Sequence, residues 1–146
     1  CELWSNIGTL YSAQGKELGK APQTCNFAIW WDGDLLRELL NSNRITKWDW
    51  ENKKEELLFT DPECTSNNGT KSTPVLSADL WGDWREEVIW RTRDNQKLRI
   101  YSTTIPSNYR MVTLMQDLQY RIAISWQNVA YNQPPVPGFF LGEGMK

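Results

Sequence analysis

A short acidic string occurs twice at a fixed distance, and that repeat restricts the folds open to this chain more than any other feature. Asp32-Gly33-Asp34 followed by Glu38 lies over Trp81-Gly82-Asp83 followed by Glu87, so Gly33 and Gly82, Asp34 and Asp83, and Glu38 and Glu87 are each 49 residues apart. Each copy sits among short β-rich runs bounded by turn residues. Phe27 to Trp31, Arg37 to Leu40, Arg44 to Trp48 and Leu57 to Phe59 read as one four-stranded meander. Val75 to Leu80, Glu87 to Thr92, Leu98 to Ser102 and Met111 to Leu114 read as a second. Self-similarity at roughly 40 to 50 residues, with four short strands per unit, is the mark of a β-propeller blade. An eight-stranded sandwich of ordinary meanders is the competing architecture.

Two blades, about 26–60 and about 74–116, would leave open sheet edges, because propellers close with roughly 4 to 8 blades. The 146 residues are therefore expected to be one part of a larger ring, and a first residue of Cys1 is expected of a processed product or fragment. Beyond Leu114 the period changes: Asp117 reads as an N-cap, and Tyr120, Ala123, Ile124, Gln127, Asn128 and Tyr131 recur at helical spacing. A helix over about 118–131, stopped by Pro134-Pro135, and a closing strand over 138–142 are the expectation.

Composition removes several functions. Sixteen Lys and Arg against 18 Asp and Glu leave a net charge of −2, which is unsuited to a nucleic-acid binder. No apolar run approaches the roughly 20 residues of a membrane-spanning helix. The chain has no His, so a Ser-His-Asp triad, a Cys-His dyad and His-ligated zinc are excluded within it. Chemistry is left to carboxylates, Lys, Arg, Tyr or a bound cation. Cys1, Cys25 and Cys64 lack CxxC spacing and read as structural or incidental, with a Cys1 to Cys25 pair possible only if the fold joins them.

Three segments are candidate sites. In the repeated loops a Gly turn gathers Asp32, Asp34 and Glu38, and then Asp79, Asp83 and Glu87. Converging carboxylates repel one another unless a hard cation sits among them, and Ca²⁺ accepts six to eight oxygens in flexible geometry. Acidic hairpin turns are the plainer alternative. Ser66-Asn67-Asn68-Gly69-Thr70-Lys71, between the two units, offers amides and a hydroxyl for sugar hydroxyls and a cation or base in Lys71. Asn-Gly is also a common turn, and Asn68-Gly69-Thr70 a glycosylation sequon. Trp126 to Pro135 concentrates aromatics and amides, as a saccharide cleft requires, although helix capping by Asn132 and a buried aromatic explain it equally. Most of the nine Trp are expected to pack between blades.

Four strings together carry a resemblance: Asn26 to Leu40, Ser66 to Lys71, Gly82 to Arg91, and Trp126 to Pro135. In this order they are similar to the C-terminal part of the rhamnogalacturonan lyases of polysaccharide lyase family 11, from about Leu3 to Gly142. The resemblance implies an all-β fold, an eight-bladed propeller of which this chain supplies the last two to three blades plus a short helix. The remaining blades would lie elsewhere, on another chain or missing. It further implies a secreted enzyme of pectin degradation that breaks the rhamnose-galacturonate bond of rhamnogalacturonan I by Ca²⁺-assisted β-elimination.

By the same resemblance Asn68, Gly69, Thr70 and Tyr131 match substrate-binding positions, and Lys71 and Tyr131 match the catalytic ones. The chemistry suits them. Elimination needs a base for the C5 proton of galacturonate and an acid for the departing oxygen, and a lysine serves as base once desolvation or nearby positive charge disfavours its protonated form. Lys71 is read as the base and Tyr131 as its partner. Gln116 and Val136 depart from the family, standing where relatives often carry His. The alternative function is a non-catalytic, calcium-dependent carbohydrate-binding or adhesive propeller fragment.

Overall fold

The computed structural model describes residues 2–4, 8–24, 26–129 and 132–145. They form eleven strands, one 3-10 turn and one short helix, an all-β chain in three separate open sheets. Among the described residues no helix is long and apolar enough to cross a membrane.

The first sheet joins β1 (Glu2–Trp4), β2 (Thr9–Ser12) and β3 (Glu17–Lys20), all antiparallel. It was not legible as strands, since its residues are punctuated by Gly8, Gly15 and Gly19 and β3 is largely exposed. The second sheet is the expected meander: β4 (Ala28–Ile29), β5 (Glu38–Asn41), β6 (Arg44–Asp49) and β7 (Lys54–Thr60), in that order. The tight turn between Asn41 and Arg44 sets the register, pairing Leu40 with Ile45 and Leu39 with Thr46.

The third sheet departs from expectation. Here β10 (Glu87–Thr92) is flanked by β11 (Leu98–Tyr101) on one side and by two short strands, β8 (Cys64–Thr65) and β9 (Leu76–Ala78), on the other. Residues 111–114 do not supply the expected fourth strand: a 3-10 turn spans Leu114–Gln116, with Thr113 capping it by accepting from the Met115 N–H. The helix α1 spans Leu118–Trp126, shorter than expected, with the Asp117 side chain accepting from the Tyr120 N–H. Residues 138–142 form no strand either, because the Gly138 N–H is drawn to the Asp117 carboxylate at 2.9 Å and Gly142 opens a turn to Met145.

The repeat is physical. Ala28 pairs with Leu39, and Ser77, 49 residues on, pairs with Val88. Alternation along the second and third sheets turns Phe27, Ile29, Trp31, Leu40, Ile45, Cys64, Val88 and Trp90 into one shared core. Phe59, half-buried, packs against it, stacked 5.6 Å from Trp31 and 5.9 Å from Trp90. Trp30 faces the other way, into a second cluster with Leu35, Trp84, Leu114 and Tyr120 that seats α1. Burying aromatics of this size supplies about 1.5–3 kcal/mol each.

Candidate functional site

Each acidic loop is built around the glutamate that opens the following strand. Glu38 Oε2 accepts from the N–H groups of Trp31 (2.8 Å) and Asp32 (3.2 Å), and Glu87 Oε2 accepts from Leu80 (2.8 Å) and Trp81 (3.1 Å). Backbone amides inside the loop would otherwise be unpaired, so the buried glutamate fixes the turn.

The first loop assembles the expected cluster. Asp32, Asp34 and Glu38 place one ligand oxygen each within 4.8 Å of one another, the only such group among the described residues. Lys47 enters it: its ammonium pairs with Asp32, with Asp34 at 2.5 Å and with Glu38 at 3.6 Å. Burial, reinforced by the Asp32 charge, pushes the Glu38 carboxyl up to about 7. Burial alone would lower the Lys47 ammonium, but hydrogen bonds to Asp32 and Asp34 and the charge of Glu38 outweigh it and hold it above the ordinary lysine range. Glu38 Oε1 has no hydrogen-bond partner although its side chain is fully buried. Three carboxylates gathered in this way could hold a metal ion, which would compete with the Lys47 ammonium for them.

The second loop does not converge in this way. Asp79 is buried and turned to the 3-10 turn, accepting from Thr113 Oγ1 and from the Leu114 N–H, both at 2.8 Å. Asp83 is held by Arg85 at 2.6 Å, and Glu87 is spent on the loop amides. Beside it lies a buried polar knot that the sequence did not reveal. Glu86 Oε2 accepts from the Trp30 N–H (2.9 Å) and Arg37 (3.3 Å), while Glu86 Oε1 accepts from the Tyr120 hydroxyl (2.7 Å). Arg37 and Glu86 are themselves 49 residues apart, so equivalent positions of the two units meet. Arg37 also lies over the Trp30 ring at 4.2 Å, and burial raises the Glu86 carboxyl.

Asn68, Gly69, Thr70 and Lys71 lie together on the loop that separates β8 from β9. Asn68 braces it, donating to Thr73 Oγ1 (2.6 Å) and accepting from the Lys71 N–H (2.8 Å). Gly69 is exposed, and a Cβ there would meet nothing within 4 Å. The end of α1 adjoins this loop, and there Gln127 and Asn128 spend their amides on the protein: Gln127 on Ser77, Asn128 on Val75 O and on Asn67. Trp126 remains exposed. Tyr131 lies outside the described residues, as do Cys1 and Cys25, while Cys64 is a buried free thiol donating to Asp61. Of the two departures from the family, Gln116 closes the 3-10 turn and Val136 is exposed.

Fold and loops together define a repeat-built β-protein with, among the described residues, one acidic cluster that could hold a metal ion. Residues 1–146 match the family described as rhamnogalacturonan lyase family 11, C-terminal domain, and the chain belongs to that family. It is 59% identical over 145 residues to the rhamnogalacturonan endolyase YesW of Bacillus subtilis (strain 168), covering 99% of this chain and 23% of that protein. It is 53% identical over 146 residues to the rhamnogalacturonan exolyase YesX of the same strain, covering 94% of this chain and 24% of the relative. The solved YesW structure superposes with a TM-score of 0.93 at 58% identity, over 99% of this chain and 25% of that one. The Bacillus licheniformis rhamnogalacturonan lyase PL11 also gives 0.93, at 57% identity and with the same coverage. The chain thus spans about a quarter of the length of these relatives.

Proposed function

We propose that this chain is the C-terminal part of a secreted rhamnogalacturonan lyase, completed to an eight-bladed propeller by the rest of the protein. The observation that carries the reading is the family match across residues 1–146, supported by close identity to both an endolyase and an exolyase. In this reading the second and third sheets, β4 to β7 and β8 to β11, belong to two blades, and the substrate is the pectic polymer rhamnogalacturonan I.

The reaction is a β-elimination at galacturonate. A base removes the C5 proton, the electron pair forms the C4–C5 double bond, and the C4–O bond to the neighbouring sugar breaks with protonation of the departing oxygen. Lys71 takes the C5 proton and Tyr131 protonates the leaving oxygen. Asn68, Gly69 and Thr70 orient the sugar, with amide and hydroxyl groups for its hydroxyls and an open backbone at Gly69. Tyr131 adds an aromatic face for the sugar ring. Asp32, Asp34 and Glu38 would hold Ca²⁺, which supplies positive charge against the uronate carboxylate when bound.

The test is substitution in the complete lyase. Lys71→Ala and Tyr131→Phe are each expected to lower turnover by at least about a hundredfold with polymer binding retained. Wild-type rates in both variants would refute the assignment of roles.

A further inference from the structure

The loop that bears Lys71 interrupts a single strand line. Thr65 pairs with Arg91 and Leu76 with Ile89, so both ends of the 66–75 loop leave and rejoin the same edge of β10. Inside the loop, the Asn67 N–H bonds Thr73 O at 2.8 Å, and the Ser42 N–H from the neighbouring sheet bonds Ser72 O at 2.8 Å. With the Asn68 contacts described above, the loop is braced internally and held to the neighbouring sheet.

One side chain closes its neck. Asn128 Nδ2 donates to Val75 O at the loop's far end (2.6 Å), and Asn128 Oδ1 accepts from Asn67 Nδ2 at its near end (2.9 Å). Next to it the fully buried Gln127 pairs with both backbone groups of Ser77, at 2.7 and 2.5 Å, and so clamps the end of α1 to β9. Asn67 and Asn128 are exposed, where a neutral hydrogen bond contributes only about 0.5–1.5 kcal/mol net. Such a contact adds little to stability but fixes the geometry of the loop that carries Lys71.

We infer that Asn128 is a positioning residue whose amide ties both ends of the 66–75 loop to the end of α1, fixing the place of the loop that carries Lys71. The inference rests on the lyase reading above. Misplacing reacting groups by about 1 Å can cost around a hundredfold in rate, so a lost tether registers in turnover before it registers in folding.

The test uses the complete lyase and rhamnogalacturonan, with kcat, KM and thermal midpoint measured for Asn67→Ala, Asn128→Ala and the double variant. Each single change is expected to lower kcat by roughly tenfold or more while KM stays within about threefold. The double variant should lose no more than Asn128→Ala alone, because the two share one bond. Asn128→Asp replaces the donor facing Val75 O with a second acceptor and should recover no turnover over Asn128→Ala. Thermal midpoints should stay within about 2 °C of wild type. If Lys71→Ala is inactive while Asn67→Ala and Asn128→Ala both turn over at the wild-type rate, the positioning role is overturned and the lyase reading stands. Losses of kcat that simply track lowered midpoints overturn it as well. A wild-type protein without turnover overturns the lyase reading, and the positioning role falls with it.

Discussion

Tyr120→Phe removes one hydroxyl from the buried knot that joins the two repeat units to α1. Tyr120 is fully buried, and its hydroxyl makes two hydrogen bonds, donating to Glu86 Oε1 at 2.7 Å and accepting from the Asp79 N–H at 3.0 Å. With Glu86 ionised the first is a charge-assisted bond, worth about 1.5–3 kcal/mol, and the second leaves a buried amide unpaired at about 1 kcal/mol more. The sum is about 2.5–4 kcal/mol of local stability. At about 1.4 kcal/mol per factor of ten, amide exchange in β10 and at the Glu86 N–H should accelerate about 10²- to 10³-fold, while β6 and β7 are spared. The effect should also depend on pH. Burial holds native Glu86 above the ordinary value of 4.5, so the native state keeps a proton that the unfolded chain has released. The protection it confers is full below that value and declines as pH rises through the native titration, and loss of the Tyr120 donor extends the decline to higher pH. Exchange within threefold of wild type in β10 would refute the reasoning, since it would mean the knot holds nothing.

Other changes probe the loops. Gly33→Ala places a Cβ 2.3 Å from Pro106 O and breaks the 2.8 Å bond from Ser107 Oγ to Gly33 O, so the thermal midpoint should fall by an amount matching about 1–3 kcal/mol. Gly69→Ala meets no neighbour within 4 Å; folding should change by less than about 0.5 kcal/mol while lyase activity drops, and unchanged activity would remove Gly69 from the sugar site. Lys47→Met removes the ammonium from Asp32, Asp34 and Glu38, so calorimetry should show tighter Ca²⁺ binding and a thermal midpoint that depends more strongly on Ca²⁺.

The repeat was legible because the residues that define it do a local job twice: Glu38 and Glu87 each gather two loop amides, and that requirement survives in the spacing. Lys47 was harder to see, although its position follows from a short turn. With Asn41 opposite Arg44 and Leu39 opposite Thr46, one further step of the same register sets Lys47 across from Glu38. The two strands expected over 111–114 and 138–142 show why apolar runs mislead. Met111 and Leu141 are apolar because they pack on the cluster around Trp84 and Tyr120, which needs no strand pairing. The amides of Gln127 and Asn128 misled in the opposite sense, since a sequence cannot distinguish an amide facing a sugar from one completing the edge of β9. Asp79 belongs with them: its spacing suits a metal ligand, but its carboxylate caps the 3-10 turn.

A lyase eliminates, whereas a carbohydrate-binding propeller merely binds. The direct measurement is the ultraviolet absorbance of the unsaturated uronate, followed after rhamnogalacturonan is added to the complete, Ca²⁺-loaded protein and repeated with chelator. A steady rise that stops on chelation is the predicted result. A flat trace from protein that still binds the polymer would contradict the lyase reading.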